Sequence, residues 1–301
     1  MKFSKVIVGA GALVFLHAAN SQDLDNSKLP KLNEIKPIEV PSEYEPGVDP
    51  LLHGWAVSLV YRDAETSDKT RPTVIKEDGY QLGVGFRIGE DWFGRLTAEF
   101  ADQKVDSQPL QFPIDLKSDN ETDNYTVLLG HSFNPVFSVA GFYGQGKGTG
   151  VYDFPGGGPV AGASDSDSDR YGLIGTVSLP FGKALTSTSL TYLHSEADQT
   201  FPPGNLPPTD SFEVDVFSLG SSLIYPLGDG FSAIGNLAFN HIGSQKVAAG
   251  STSPDENWFS GGVGLSYQIN ANADVRLSHQ RWIGNSTTAY RTTGLELVYR
   301  F

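Results

Sequence analysis

The chain contains no cysteine, which removes disulfides, thiolate metal sites and cysteine nucleophiles at a stroke. Methionine occurs once, as Met1. Beyond Leu16 no apolar run approaches the length of a membrane-crossing helix, so a mature chain seated in a membrane would have to cross it as a closed sheet, the other structure that satisfies its own backbone. Basic residues are also scarce: 21 Lys and Arg face 35 Asp and Glu, for a net charge of −14. Such a surface argues against nucleic acid, whose phosphates need a basic face. What the chain does have is 34 Gly, 12 Tyr and 18 Phe in 301 residues, a profile that suits many strands and turns better than a helix bundle. An apolar content of 39% permits one large domain or two small ones.

The first residues, "MKFSKVIVGAGALVFLHAANSQDLD", place Lys2 and Lys5 before an apolar stretch from Val6 to Leu16, then small residues and the polar Gln22 and Asp23. This is the layout of a secretory signal peptide over residues 1–21, with cleavage after Ala19 or Ser21. Residues 22–51 are polar, carry Pro30, Pro37, Pro41, Pro46 and Pro50, and keep no helical or strand period, as expected of a tail or linker.

From 52 to 301 the texture changes. Twelve segments of about ten residues alternate apolar with polar or small positions: 53–62, 79–89, 92–102, 123–133, 136–146, 169–181, 185–195, 212–225, 230–242, 257–269, 273–282 and 289–301. One parity is lipid-like, as in Tyr80, Leu82, Val84, Phe86 and Ile88; the other reads Gln81, Gly83, Gly85, Arg87. Connections alternate short ("NP" at 134–135, "PFGKA" at 180–184, "PLGDG" at 226–230) and long (63–78, 103–122, 147–168, 196–211, 243–256). Short turns on one side and longer loops on the other predict an all-β, transmembrane antiparallel up-and-down barrel of about twelve strands with both termini on the periplasmic side. Aromatics at the strand ends strengthen this, because a ring with a polar edge favours the headgroup interface. Those next to long loops are Tyr61, Tyr80, Phe100, Tyr125, Tyr143, Tyr171, Tyr192, Phe212, Phe239, Phe259, Trp282 and Tyr290.

The terminal "TTGLELVYRF", with "VGLSYQINANADVRLSHQRW" at 263–282, resembles the last hairpins of Gram-negative outer-membrane β-barrels of the porin and OmpA-like class. Autotransporter translocators resemble it in strand number, although a tail of about thirty residues is far too short for a passenger. The resemblance implies location in the cell outer membrane, contact with outer-membrane lipid and lipopolysaccharide, and insertion by the barrel-assembly machinery. Its reading signal would be Phe301 with Tyr299, Leu297 and Leu295.

The inward parity carries Arg62, Arg87, Arg95, Glu99, Arg276, Glu296 and Arg300. Unpaired guanidinium groups would line a passage and favour anionic solutes; internal ion pairs would instead close the lumen. Inward Gly83, Gly85, Gly220, Gly262 and Gly264 leave space or relieve sheet strain. Hydrolase chemistry needs a nucleophile, a base and an orienting group in reach of one another. In His131–Ser132, His194–Ser195 and Ser278–His279 the partners are sequence neighbours and project to opposite faces of a strand. "GASDSDSDR" sets Asp165, Asp167 and Asp169 on alternate residues without the glycine and distant Glu of a calcium loop, so a solvated acidic loop is expected. Phe112–Pro113, Phe154–Pro155 and Phe201–Pro202 suit surface recognition or a lid over the barrel mouth. The expected function is a non-enzymatic, porin-like channel for small solutes with mild anion preference and no cofactor or metal. The alternatives are a barrel that works through its extracellular loops and an outer-membrane hydrolase.

Overall fold

A computed structural model describes residues 54–68, 73–89, 91–107, 116–153, 162–200, 209–243, 245–247, 251–253, 256–284 and 288–301. The signal peptide, the tail and the three Phe-Pro pairs lie outside the described residues. Fourteen strands run in chain order: β1 Trp55–Asp68, β2 Thr73–Ile88, β3 Trp92–Ser107, β4 Leu116–Ser132, β5 Phe137–Asp153, β6 Gly162–Phe181, β7 Ala184–Thr200, β8 Thr209–Gly228, β9 Phe231–Ile242, β10 Gln245–Val247, β11 Ser251–Ser253, β12 Glu256–Asn270, β13 Ala273–Ile283 and β14 Thr288–Arg300. Twelve of them form a closed antiparallel barrel, each paired with its sequence neighbour and β1 paired with β14. The short β10–β11 hairpin stands beside β8 above the end of β9.

Closure follows from register. Val57 pairs with Tyr299, Leu59 with Leu297 and Tyr61 with Leu295, and the Phe301 amide donates to the Trp55 carbonyl at 3.0 Å. Neither the first nor the last barrel strand is left with an open edge, which hydrocarbon would not tolerate. Alternation then sorts the faces. In β1, Trp55, Val57, Leu59 and Tyr61 are exposed on the outside while Ala56, Ser58, Arg62, Ala64 and Thr66 are buried on the inside. The outward band ends at the short turns in Trp55, Trp92, Phe133, Phe137, Phe181, Tyr225, Phe231, Tyr267, Tyr299 and Phe301. Toward the long connections it ends in Tyr61, Tyr80, Phe100, Tyr125, Tyr143, Tyr171, Phe217, Phe239 and Phe259.

Two expectations about this second girdle are corrected. Phe212 shares the inward parity of buried Val216 and Ser218, and Phe217 takes its place outside. Trp282 and Tyr290 also turn inward, where Trp258, Trp282 and Tyr290 stack with ring centroids 4.7 and 5.1 Å apart. The segments expected to be long loops are largely strand. β1–β8 continue well past the girdle, whereas β9 and β12–β14 stop near it, so one side of the barrel stands taller. Asp165, Asp167 and Asp169 accordingly lie on β6, facing outward, and not in a loop.

An arginine at the lipid-facing, mid-band Val263, which is 67% exposed, should cost about 2–4 kcal/mol of stability. The same substitution at lumen-facing, exposed Ser278 should cost less than about 1 kcal/mol. Denaturant unfolding from lipid vesicles measures both; equal costs would contradict the assignment of faces.

Candidate functional site: the charged lumen

All seven lumen residues expected from the sequence share the parity of buried inward neighbours. They do not form one basic passage. Near the long-connection end, the Arg62 guanidinium bridges two carboxylates, Glu77 and Glu99, each at 2.5 Å. This ties β1, β2 and β3 together across the inner wall. Around them Gln103 donates to Glu77 at 3.4 Å and Asn124 to Glu99 at 3.5 Å. Glu77 was assigned to a loop from sequence because the alternation weakens there; β2 in fact begins at Thr73.

A second network lies at the short-turn end. Arg300 bonds Asp274, Arg276 Nε lies 2.9 Å from the other Asp274 oxygen, and Arg276 Nη1 lies 3.5 Å from Glu296. Arg276 and Glu296 are direct cross-strand partners. Asp274 escaped the sequence analysis because it stands at the very start of the segment 273–282, beside the preceding turn. Its shared parity with Arg276 on β13 is the signal that would have found it.

Arg95 is held by a hydroxyl, donating to Ser58 Oγ at 3.0 Å. A Cβ on Gly83 would lie 2.5 Å from that Ser58 Oγ and 3.0 Å from Arg95 Nη2. Gly83 therefore seats the Arg95 side chain against the wall; the room it leaves is taken. Arg170 was missed as a lumen group although it stands on the inward parity of β6. Its Nε lies 2.7 Å from where a Gly144 Cβ would be, and among the described residues it makes no hydrogen bond or ion pair.

Ser132, Ser195 and Ser278 take the inward parity and their His neighbours the outward one. His194 meets two carboxylates, Nδ1 to Asp215 at 2.8 Å and Nε2 to Glu196 at 3.0 Å, with Tyr171 tilted over its ring. His279 Nδ1 meets the Thr293 hydroxyl at 3.0 Å. His131 packs between Trp92 and Phe133 at the short-turn girdle. Among the described residues no group of three or more His, Asp or Glu is placed to hold a metal ion.

No protein-family model matches the chain, and no curated protein matches it. Solved structures match the fold. The translocator domain of the autotransporter NalP from Neisseria meningitidis superposes with a TM-score of 0.68 at 12% identity, over 82% of this chain and 88% of that one. The β domain of the Bordetella autotransporter BrkA gives 0.63 at 9% identity, over 82% and 100%. An outer-membrane channel from Pseudomonas putida F1 gives 0.51 at 10% identity, over 87% and 99%. The chain is thus similar in fold to outer-membrane β-barrels, translocators and channels among them.

Arg62→Ala would leave Glu77 and Glu99 buried without their cation and should cost about 3–5 kcal/mol. Removing all three charges together, with Arg62→Met, Glu77→Gln and Glu99→Gln, should recover most of that loss. Unfolding free energies of the folded variants decide the point: a single substitution costing under 1 kcal/mol (an order-of-magnitude threshold) would mean that the triad does not hold the wall.

Proposed function

We propose that the chain is a non-enzymatic, porin-like channel of the outer membrane, passing small solutes with a mild preference for anions. One observation carries this reading. Among the described residues, four inward guanidinium groups at the short-turn end, Arg87, Arg95, Arg276 and Arg300, stand with two inward carboxylates, Asp274 and Glu296. A mouth of positive sign concentrates anions and disfavours cations. Above it Arg62 and Arg170 stand against Glu77 and Glu99, with Asp68 and Glu256 on the inward parity nearer the long connections, so the positive surplus belongs to the short-turn end alone.

The preference is expected to be mild because Arg276 and Arg300 share the two carboxylates. Arg95, whose bond is to a neutral hydroxyl, is the residue expected to matter most. Phe301, Tyr299, Leu297 and Leu295 face outward at the closing seam, an arrangement compatible with a role as the assembly signal. On this reading the short turns and both termini are periplasmic and the long connections extracellular. The alternative, a structural or surface-interaction barrel acting through its extracellular loops, draws support from the tall β1–β8 wall and from Trp258 and Tyr290, which are buried within the upper lumen.

Planar-bilayer recording of the purified, folded protein tests the channel. Discrete conductance steps and a reversal potential on the anion side are expected, with Arg95→Ala lowering the anion preference and Asp274→Asn raising it. Absence of steps from folded protein would reject the channel; unchanged selectivity in both variants would reject the residue assignment.

A further inference from the structure

We propose that Arg281 and Arg291 form a clamp on the outside of the barrel for phosphate groups of lipopolysaccharide. Inversion of two aromatics creates the site. With Trp282 and Tyr290 turned into the lumen, strand parity sends their neighbours Arg281 and Arg291 outward, at the level where the girdle would otherwise carry rings on β13 and β14. On one flank the outward rings end at Tyr61 and Tyr80, with centroids 5.2 Å apart, below Glu65, the register partner of Arg291. Phe239 and Phe259 mark the girdle level on the other, at 5.4 Å.

Beneath the arginines the surface is lipid-facing. Leu277 pairs with Leu295, both about half exposed, and above them His279 pairs with Thr293. Arg281 and Arg291 then stand directly opposite each other as Cα partners. Like charges in that relation repel, with Cβ atoms about 5 Å apart, unless an anion lies between them. Arg291 is satisfied on one side by Glu65 at 2.9 Å, while Arg281 has no hydrogen bond or ion pair among the described residues. On the far side the register partner of Arg281 on β12 is Gly261, over which the apolar side chains of Ile283 and Leu237 fold, so no charged group competes for Arg281 from β12.

The other groups facing the pair are Glu65, Asp63 across from Thr293, and Lys76 across from Glu65. Elsewhere above the girdle the outward face is mixed on β2–β5, where Lys76 stands opposite Lys104 and Lys147 opposite Asp167, and acidic on β6–β8. Asp167 pairs with Asp198, Asp169 with Glu196, Glu196 with Glu213, and Asp102 with Glu121. An anionic headgroup can therefore approach at β13–β14 and is turned away at β6–β8. Phosphate suits the site because a guanidinium offers paired N–H donors to two of its oxygens. Lipopolysaccharide is the source because, with the long connections extracellular, this level meets the outer leaflet.

Native mass spectrometry of the full chain in detergent tests the clamp, with bisphosphorylated lipid A, phosphate-free lipid A and phosphatidylglycerol as separate probes. Wild-type protein is expected to retain bisphosphorylated lipid A at least about tenfold better than either other lipid, and Arg281→Gln with Arg291→Gln to remove that difference. Both side chains are exposed, and retained heat-modifiable mobility on gels certifies folding of the variant. Undiminished retention by the double variant, or equal retention of phosphate-free lipid A, overturns the clamp. Equal retention of phosphatidylglycerol overturns the assignment to lipopolysaccharide, and displacement by inorganic phosphate at matching concentration overturns a lipid occupant. The orientation on which the choice of leaflet rests is read separately, by labelling Thr149→Cys on intact cells with a membrane-impermeant maleimide.

Discussion

Everything in this molecule depends on the pairing of β1 with β14. Inside a bilayer each peptide N–H and C=O without a partner costs several kcal/mol, on the order of the whole stability of a domain. A row of such groups along one open edge would be prohibitive. Pairing Ala56 through Asp68 with Thr288 through Arg300 removes both edges together. It also fixes the inside and the outside of every strand, because a slip of one residue would send Arg62 to the lipid and Leu59 to the lumen.

The charges of the lumen are a consequence of that closure. Arg62 reaches Glu77 and Glu99 from three adjacent strands, and Arg276, Arg300, Asp274 and Glu296 interlock across the last hairpin beside the seam. Buried ion pairs of this sort are weak evidence of net stability, yet losing one partner is expensive. They therefore act against register slippage more than they add to stability. Among the described residues the inward charges are unequally distributed: arginines outnumber carboxylates at the short-turn end, carboxylates outnumber arginines above it, and Trp258, Trp282 and Tyr290 stack on the inner wall of β12–β14.

The strand count, the alternation of short and long connections and the faces of most strands were legible in the sequence, because period-two alternation and girdle aromatics report local geometry directly. The lumen was legible only in part. Arg62, Arg87, Arg95, Glu99, Arg276, Glu296 and Arg300 were assigned inward from parity, but the further partners Glu77, Asp274 and Ser58 were not. Glu77 lay where the strand leaves the membrane and its outward positions, Lys76 and Asp78, are no longer apolar, so nothing marked it as strand. Asp274 sat against a turn, and Arg170 needed no new pattern, only the parity already assigned to β6. The inward turn of Trp282 and Tyr290 could not be seen, because an aromatic at a strand end reads as girdle whichever way it points. No sequence period encodes which arginine meets which carboxylate across strands tens of residues apart.

The most direct measurement of closure uses the absence of native cysteine. Leu59→Cys with Leu297→Cys places thiols on directly paired residues of β1 and β14, within the span of about 4.4–6.8 Å that a disulfide bridges. Mild oxidation of the membrane-inserted protein should join them in high yield and change its mobility on a denaturing gel, while Leu59→Cys with Tyr267→Cys, on β12 and three strands away around the wall, should stay reduced. Failure of the first pair to close in folded protein, or equal closure of the second, would contradict a barrel sealed by its first and last strands.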